Sequence, residues 1–305
     1  MKKRRILLAL IMLIISGVSL TTATYAWFTA NRKVSVEEID VKAQASGGIQ
    51  ISADAVSWSN EVNLTQLKEV DTNVIPSSAL KPVTTVGVNG DTGKFKFFVG
   101  ELNEAGDKVT LTDTTDADGN YIAFDLYFYS ATPQKIKFND ATNIIAKNVD
   151  ATGDAQDKGL KKSIRVGLLV QGNDPTSTPA TALALANGTI ANQQIWEPNA
   201  DTHTEYATNM LGATGIMTYM GGTTAGTDVA TDAPANFATV TAGTHHLLTS
   251  TEAARYPTGQ IFDFQAGITK VRVYAWIEGQ DIDCEDTASL GTGVGITLSF
   301  ELINE

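Results

Sequence analysis

The sequence predicts an all-β protein, an antiparallel β-sandwich of jelly-roll-like character. Three observations carry this. Apolar residues recur with period two in one segment after another, the pattern of strands that bury one face. The joints between these segments are rich in Gly, Asn, Asp and Thr, the residues of turns. Hydrophobic residues make up 43% of the chain and charged ones 18%, enough to fill a core and unlike a disordered composition. At 305 residues the chain suits one sizeable domain or two small ones.

The N-terminus reads as a hydrophobic signal helix. Lys2, Lys3, Arg4 and Arg5 form a basic start, residues 6–15 are unbroken apolar sequence, and Thr24, Tyr25 and Ala26 end in a small residue. That order is a secretory signal peptide over residues 1–26, with a retained anchor as the alternative. Its basic end stays in the cytoplasm, so the rest of the chain is delivered outside, to the cell surface or beyond.

Ala26 followed by Trp27 and Phe28, after a Thr-rich, Gly-containing apolar stretch, resembles the start of TasA/camelysin-like secreted proteins. The resemblance is sharp over residues 16–45. It implies export through a dedicated signal peptidase, a jelly-roll-like fold and assembly into extracellular filaments. Type IV pilins are cut after glycine and then carry an early glutamate, a pattern that does not follow Gly17. Camelysin implies a proteolytic activity, but no zinc-binding motif is visible here to carry it.

The elements follow in order. Val34 and Val36 alternate in one phase, and Ile39, Val41, Ala43 and Ala45 in the other. The slip at Glu37 and Glu38 separates an N-terminal segment, 27–36, from the domain over 37–305. Gly47 and Gly48 turn the chain into a strand at 49–53. A short helix is expected near 64–70. Strands follow at 94–99 and 108–112. A turn at 113–120 leads to the most regular strand, 121–129, whose two faces are both largely apolar, so that it belongs inside a sheet. Strands at 135–138 and 164–170 come next. Residues 172–258 read as an insertion of loops and short helices, 179–187 and 250–256, with an exposed loop at 221–244. Strands at 269–277 and 294–302 close the chain.

Several clusters are candidate sites. Asp113, Asp116, Asp118 and Asn120 around Gly119 place oxygen ligands at near-alternate positions, as calcium loops do. The same Asp-Gly pair between alternating runs is also a hairpin turn. Glu278, Asp281 and Asp283 crowd the loop before Cys284, a second candidate for calcium or simply a solvated acidic loop. This run, from Trp276 to Cys284, looks like a segment recurrent in secreted proteins with the same kind of N-terminus. Trp58 and Trp196 are candidate ligand contacts, and Trp196 is equally a candidate anchor for the insertion. His203 lies in the same patch as Trp196, and His245 and His246 could bind metal, but no cysteine or carboxylate sits at ligand spacing next to that pair. No catalytic motif is visible, so a non-enzymatic role is expected.

Removing residues 1–26 takes four basic residues and no acid, leaving 18 basic and 34 acidic residues, a net charge near −16. Such a surface repels nucleic acid and anionic lipid. With one cysteine, Cys284, no intramolecular disulfide can form. The expectation is a secreted structural protein, a homopolymeric fibre or biofilm-matrix subunit. Trp27, Phe28, Val34 and Val36 would be donated to a neighbour's sheet edge. The alternative is a monomeric surface module that binds a ligand such as a glycan.

Overall fold

A computed structural model describes residues 39–45, 48–76, 80–102, 109–146, 160–189, 193–196, 262–279, 284 and 293–303. The signal helix over 1–26, the segment 27–36, the slip at Glu37 and Glu38, the helix at 250–256 and the loop at 221–244 lie outside these residues. Among the described residues no helix is long and apolar enough to cross a membrane.

The fold is mostly β. In chain order the strands are β1 (Ile39–Ala45), β2 (Gln50–Ser52), β3 (Glu61–Asn63), β4 (Thr84–Asn89), β5 (Lys94–Leu102), β6 (Val109–Thr114) and β7 (Ile122–Ser130). They continue as β8 (Gln134–Phe138), β9 (Asn143–Ala146), β10 (Ile164–Asp174), β11 (Gln193–Trp196), β12 (Phe262–Phe264), β13 (Gly267–Ile277) and β14 (Val294–Leu302). Two short helices, α1 (Leu64–Lys68) and α2 (Pro179–Leu183), join them.

A six-stranded sheet orders its strands β12-β8-β14-β1-β3, with β9 also on β14. A five-stranded sheet runs β11-β10-β13-β7-β2, and a three-stranded sheet runs β4-β5-β6. The larger two meet face to face. Ile122, Phe124, Leu126 and Phe128 of β7 and Val271, Val273 and Ala275 of β13 pack against Ile296, Leu298 and Phe300 of β14. Phe128 meets Phe300 edge-on at 5.0 Å. This is the period-two pattern at work: alternate side chains of each strand share one face.

The opposite face of the five-stranded sheet is not left to water. The three-stranded sheet covers one end of it: Phe95 stacks on Tyr274 at 4.5 Å and Phe97 on Tyr121 at 4.2 Å, with Trp276 beside both. At the other end α2 and the loop after β2 cover Tyr127 and Ile268 through Ala182 and Ala55. The sandwich therefore gains a third layer. It explains why β7 is largely apolar on both faces, and why every residue of β13 is buried. The sheet's centre is β13, with β7 one strand away.

Four expectations are corrected. Not every pairing is antiparallel: β1 runs parallel to β14, Ile39 opposite Val294 and Ala45 opposite Phe300. The chain between β1 and β14 is long enough to reach any position, so the two are free to pair in parallel. The Asp118-Gly119 turn is not a hairpin. β6 pairs with β5 and β7 pairs with β13, so the turn carries the chain between sheets. It does so through a 3-10 turn at Asp116–Asp118 and a left-handed Gly119, φ 63°. The 172–258 stretch is not wholly an insertion, because β10 extends to Asp174 and β11 adds a strand to its edge. Finally, α2 stops at Leu183 rather than Asn187. The Asn187 N–H instead donates to the Gln171 carbonyl, tying this stretch to β10.

Phe97 is 1% exposed at the middle of the joint between the three- and five-stranded sheets. Phe97→Ala is expected to cost about 3–5 kcal/mol in denaturant unfolding, and a loss below about 1 kcal/mol would mean that this layer contributes little to stability.

Candidate functional site

The outer face of the five-stranded sheet carries two apolar covers with a seam of charge between them. Along β7 the outward positions are Tyr121 beside it, Ala123, Asp125 and Tyr127. Along β13 they are Ile268, Lys270, Arg272 and Tyr274. Asp125 and Arg272 are directly opposite in the ladder. Arg272 Nη1 donates to Asp125 Oδ1 at 3.0 Å, and Lys270 Nζ lies 3.3 Å from Asp125 Oδ2. The side chains of Asp125, Arg272 and Lys270 are 2%, 4% and 11% exposed. Buried charges persist only when paired and hydrogen-bonded, and these are.

The seam is wired to its covers. Arg272 reaches the Thr72 carbonyl, and the Asp125 N–H donates to Asn73 Oδ1. Lys270 Nζ donates to the Leu183 carbonyl at the end of α2, 3.0 Å away. Arg272 Nη2 lies 3.6 Å from Asp116 Oδ2, which also pairs with Lys94 of β5 at 3.2 Å. The Tyr121 hydroxyl donates to Asp116 Oδ1 at 2.7 Å. Burial alone would raise the Asp116 pKa, but the Tyr121 hydroxyl, Arg272 and Lys94 outweigh it and hold the carboxyl below its ordinary value. Burial pushes Tyr121 well above the ordinary phenol, and the Asp116 carboxylate adds to the effect. Tyr274, fully enclosed, is pushed up by burial to about 12. Both phenols stay protonated: Tyr121 donates to Asp116, and the Tyr274 oxygen accepts from the Phe95 N–H at 3.3 Å.

The residues singled out from the sequence fall as follows. Asp116 belongs to the seam. Asp113 is exposed and faces Lys96 at 3.5 Å. Asp118 accepts from the Thr115 N–H and hydroxyl, capping its own turn. Asn120 is buried and donates to Thr114 Oγ1. Asp118 and Asn120 thus share the Thr114 hydroxyl, while Asp113 and Asp116 turn to Lys96 and to the seam, so the four are not gathered into one ligand set. Among the described residues no three His, Cys, Asp or Glu side chains form a metal-holding group. Glu278 is not a loop acid: it is buried at the end of β13 and accepts from the Trp276 indole at 3.0 Å. Asp281, Asp283 and the three histidines lie outside the described residues, as do Trp27, Phe28, Val34 and Val36.

Trp196 is 1% exposed and packs on Phe138 in the core between the two large sheets, so it cannot be a surface ligand contact. Its place in β11 fits the anchoring alternative. Trp58 is half-buried against Tyr129, ring centroids 5.8 Å apart. Cys284 is buried in the core between the two large sheets.

The seam's central trio, Asp125, Lys270 and Arg272, was not singled out from the sequence. A signal existed: a lone Asp inside an aromatic strand and two cations inside another are costly unless they meet. Compared with known protein families, curated proteins and solved structures, the chain matches none. The arrangement itself defines a class only coarsely: a layered, mostly antiparallel β-protein with a buried ion network.

Two outcomes test the seam. A carboxyl held below its ordinary 3.8 stabilises the fold above that pH, and the contribution fades as pH falls through it. The gap in melting temperature between the protein and Asp116→Asn should therefore be full at neutral pH and close on acidification below 3.8. In denaturant titrations Asp125→Leu alone, which strands two buried cations, should cost about 3–5 kcal/mol, and Asp125→Leu with Arg272→Met should cost less. If the double variant loses as much as the single one, charge pairing is not what the seam supplies.

Proposed function

We propose that the protein is a secreted structural protein, the subunit of an extracellular fibre or biofilm-type matrix. Copies of the chain assemble with one another by donating an N-terminal β-segment. The supporting observation is the position of β1. It lies inside the six-stranded sheet, and residues 27–36 precede it by only two residues. Among the described residues, β3 pairs with β1 only over Lys42, Ala43 and Gln44. The register of that neighbour stops short of Ile39, where the chain enters the sheet. Residues 27–36 carry Trp27, Phe28, Val34 and Val36, apolar groups that donation to a sheet edge would bury.

Other features agree with this reading. The strands β1, β2 and β3, and later β7 to β14, cross repeatedly between the two large sheets, the habit of a jelly-roll-like sandwich. The three-stranded sheet is then an addition outside that plan. The leader at 1–26 takes the chain through a signal peptidase to the cell exterior. The acidic surface keeps nucleic acid off. The resemblance to TasA/camelysin-like proteins over residues 16–45 implies the same route and the same strand donation.

Deleting residues 27–36 from the exported chain tests the proposal. The expected product is a folded monomer, by circular dichroism and size-exclusion chromatography, that no longer forms fibres in negative stain but caps fibres of the full chain. Normal assembly of the deletion variant would overturn strand donation through this segment. A full-length protein that stays monomeric at every concentration would favour a monomeric surface binding module instead.

A further inference from the structure

We propose that Lys270 and Asp125 condense into an intramolecular amide, a covalent cross-link between β13 and β7. The ladder places them diagonally on one face: Lys270 is opposite Tyr127, and Asp125 is opposite Arg272. Diagonal neighbours in an antiparallel pair lie within reach of long side chains. Here Nζ is 3.3 Å from Oδ2, with the lysine and aspartate side chains 11% and 2% exposed. The Tyr127 ring centroid is 5.8 Å from the same Nζ. Bulk water, which would solvate both ions and hold them apart, is largely excluded.

The neighbouring groups suit the step. Arg272 Nη1 sits 3.0 Å from Oδ1, the oxygen that would remain as the amide carbonyl. A fixed cation there polarises Cγ and stabilises the charge that gathers on Oδ1 during attack, as preorganised donors do in acyl transfer. The Leu183 carbonyl, 3.0 Å from Nζ, holds the amine in place and can accept the one N–H that the amide keeps. The ammonium passes one proton to Oδ2, and the freed lone pair attacks Cγ to form the C–N bond. A second proton then follows to Oδ2, which departs with both as water as the C–O bond breaks. One ammonium and one carboxylate become one neutral amide and one water, so no oxidant, reductant or co-reactant is needed.

The exchange also relieves the seam. Two buried opposite charges carry a desolvation cost that a neutral amide does not. Arg272 keeps Asp116 at 3.6 Å and the Thr72 carbonyl when Asp125 loses its charge. In a chain with one cysteine, such a bond would supply the covalent brace that a disulfide cannot.

Tryptic digestion of the denatured full chain followed by mass spectrometry decides the matter. The bond after Lys270 should resist cleavage, and residues 109–135 should be recovered joined to residues 256–272, lighter than the two peptides together by one water. Lys270→Arg keeps the positive charge and should release 109–135 as a linear peptide. Complete recovery of linear 109–135, with normal cleavage after Lys270, from natively folded wild-type protein would overturn the proposal and leave an ion pair only.

Discussion

Arg272 and Asp125 meet across β13 and β7 on the side of the five-stranded sheet that a two-layer sandwich would give to solvent. Here that side is enclosed, and the enclosure depends on the pair. One patch of the face is roofed by aromatic residues of the three-stranded sheet, another by α2 and the loop after β2. Neither roof reaches the middle, where the polar groups lie. Each charge there is tied to a different cover: Arg272 to Thr72 and Asp116, Lys270 to Leu183. The ions therefore fix where the covers sit, while the aromatic contacts supply the apolar burial. This division is common in β-proteins that bury both faces of a sheet, because apolar packing is forgiving of position and paired charges are not.

Much of the layering was legible in residue order. Strands whose faces alternate cleanly, such as β14, were read at nearly their observed limits, because period two survives wherever one face is buried. The apolar character of both faces at 121–129 rightly announced an enclosed strand. It did not say what enclosed it. The three-stranded sheet consists of β4, which carries a register shift between Thr85 and Val88, the longer β5, and β6, which is as short as β4. A shift of that kind scrambles the alternation that reveals a strand. β3, β11 and β12 have three or four residues each, too few to show a period.

The chemistry was less legible. Carboxylates crowded in sequence drew attention at 113–120, yet Asp113 turns to Lys96, Asp116 to the seam, and Asp118 back onto its own 3-10 turn. The groups that do converge are 147 residues apart in the chain, Asp125 and Arg272. Only strand pairing brings them together, and pairing is the part of a β-fold that local patterns carry least. Trp196 shows the same limit from the other side. A tryptophan in a loop-rich stretch suggested a surface platform, whereas β11 turns it inward onto Phe138.

The parallel union of β1 and β14 bears on how the molecule would carry tension. Ile39 lies beside Val294 at one end of the pair and Ala45 beside Phe300 at the other. The chain's leading end thus departs from one rim of the sheet and its trailing end from the opposite rim. A pull applied between the two ends runs along the strands, so the ladder is loaded in shear and its hydrogen bonds share the force together. An antiparallel pairing of the same two strands would bring both ends to one rim and let the bonds peel open singly. β1 and β14 thereby form a mechanical clamp at the centre of the six-stranded sheet.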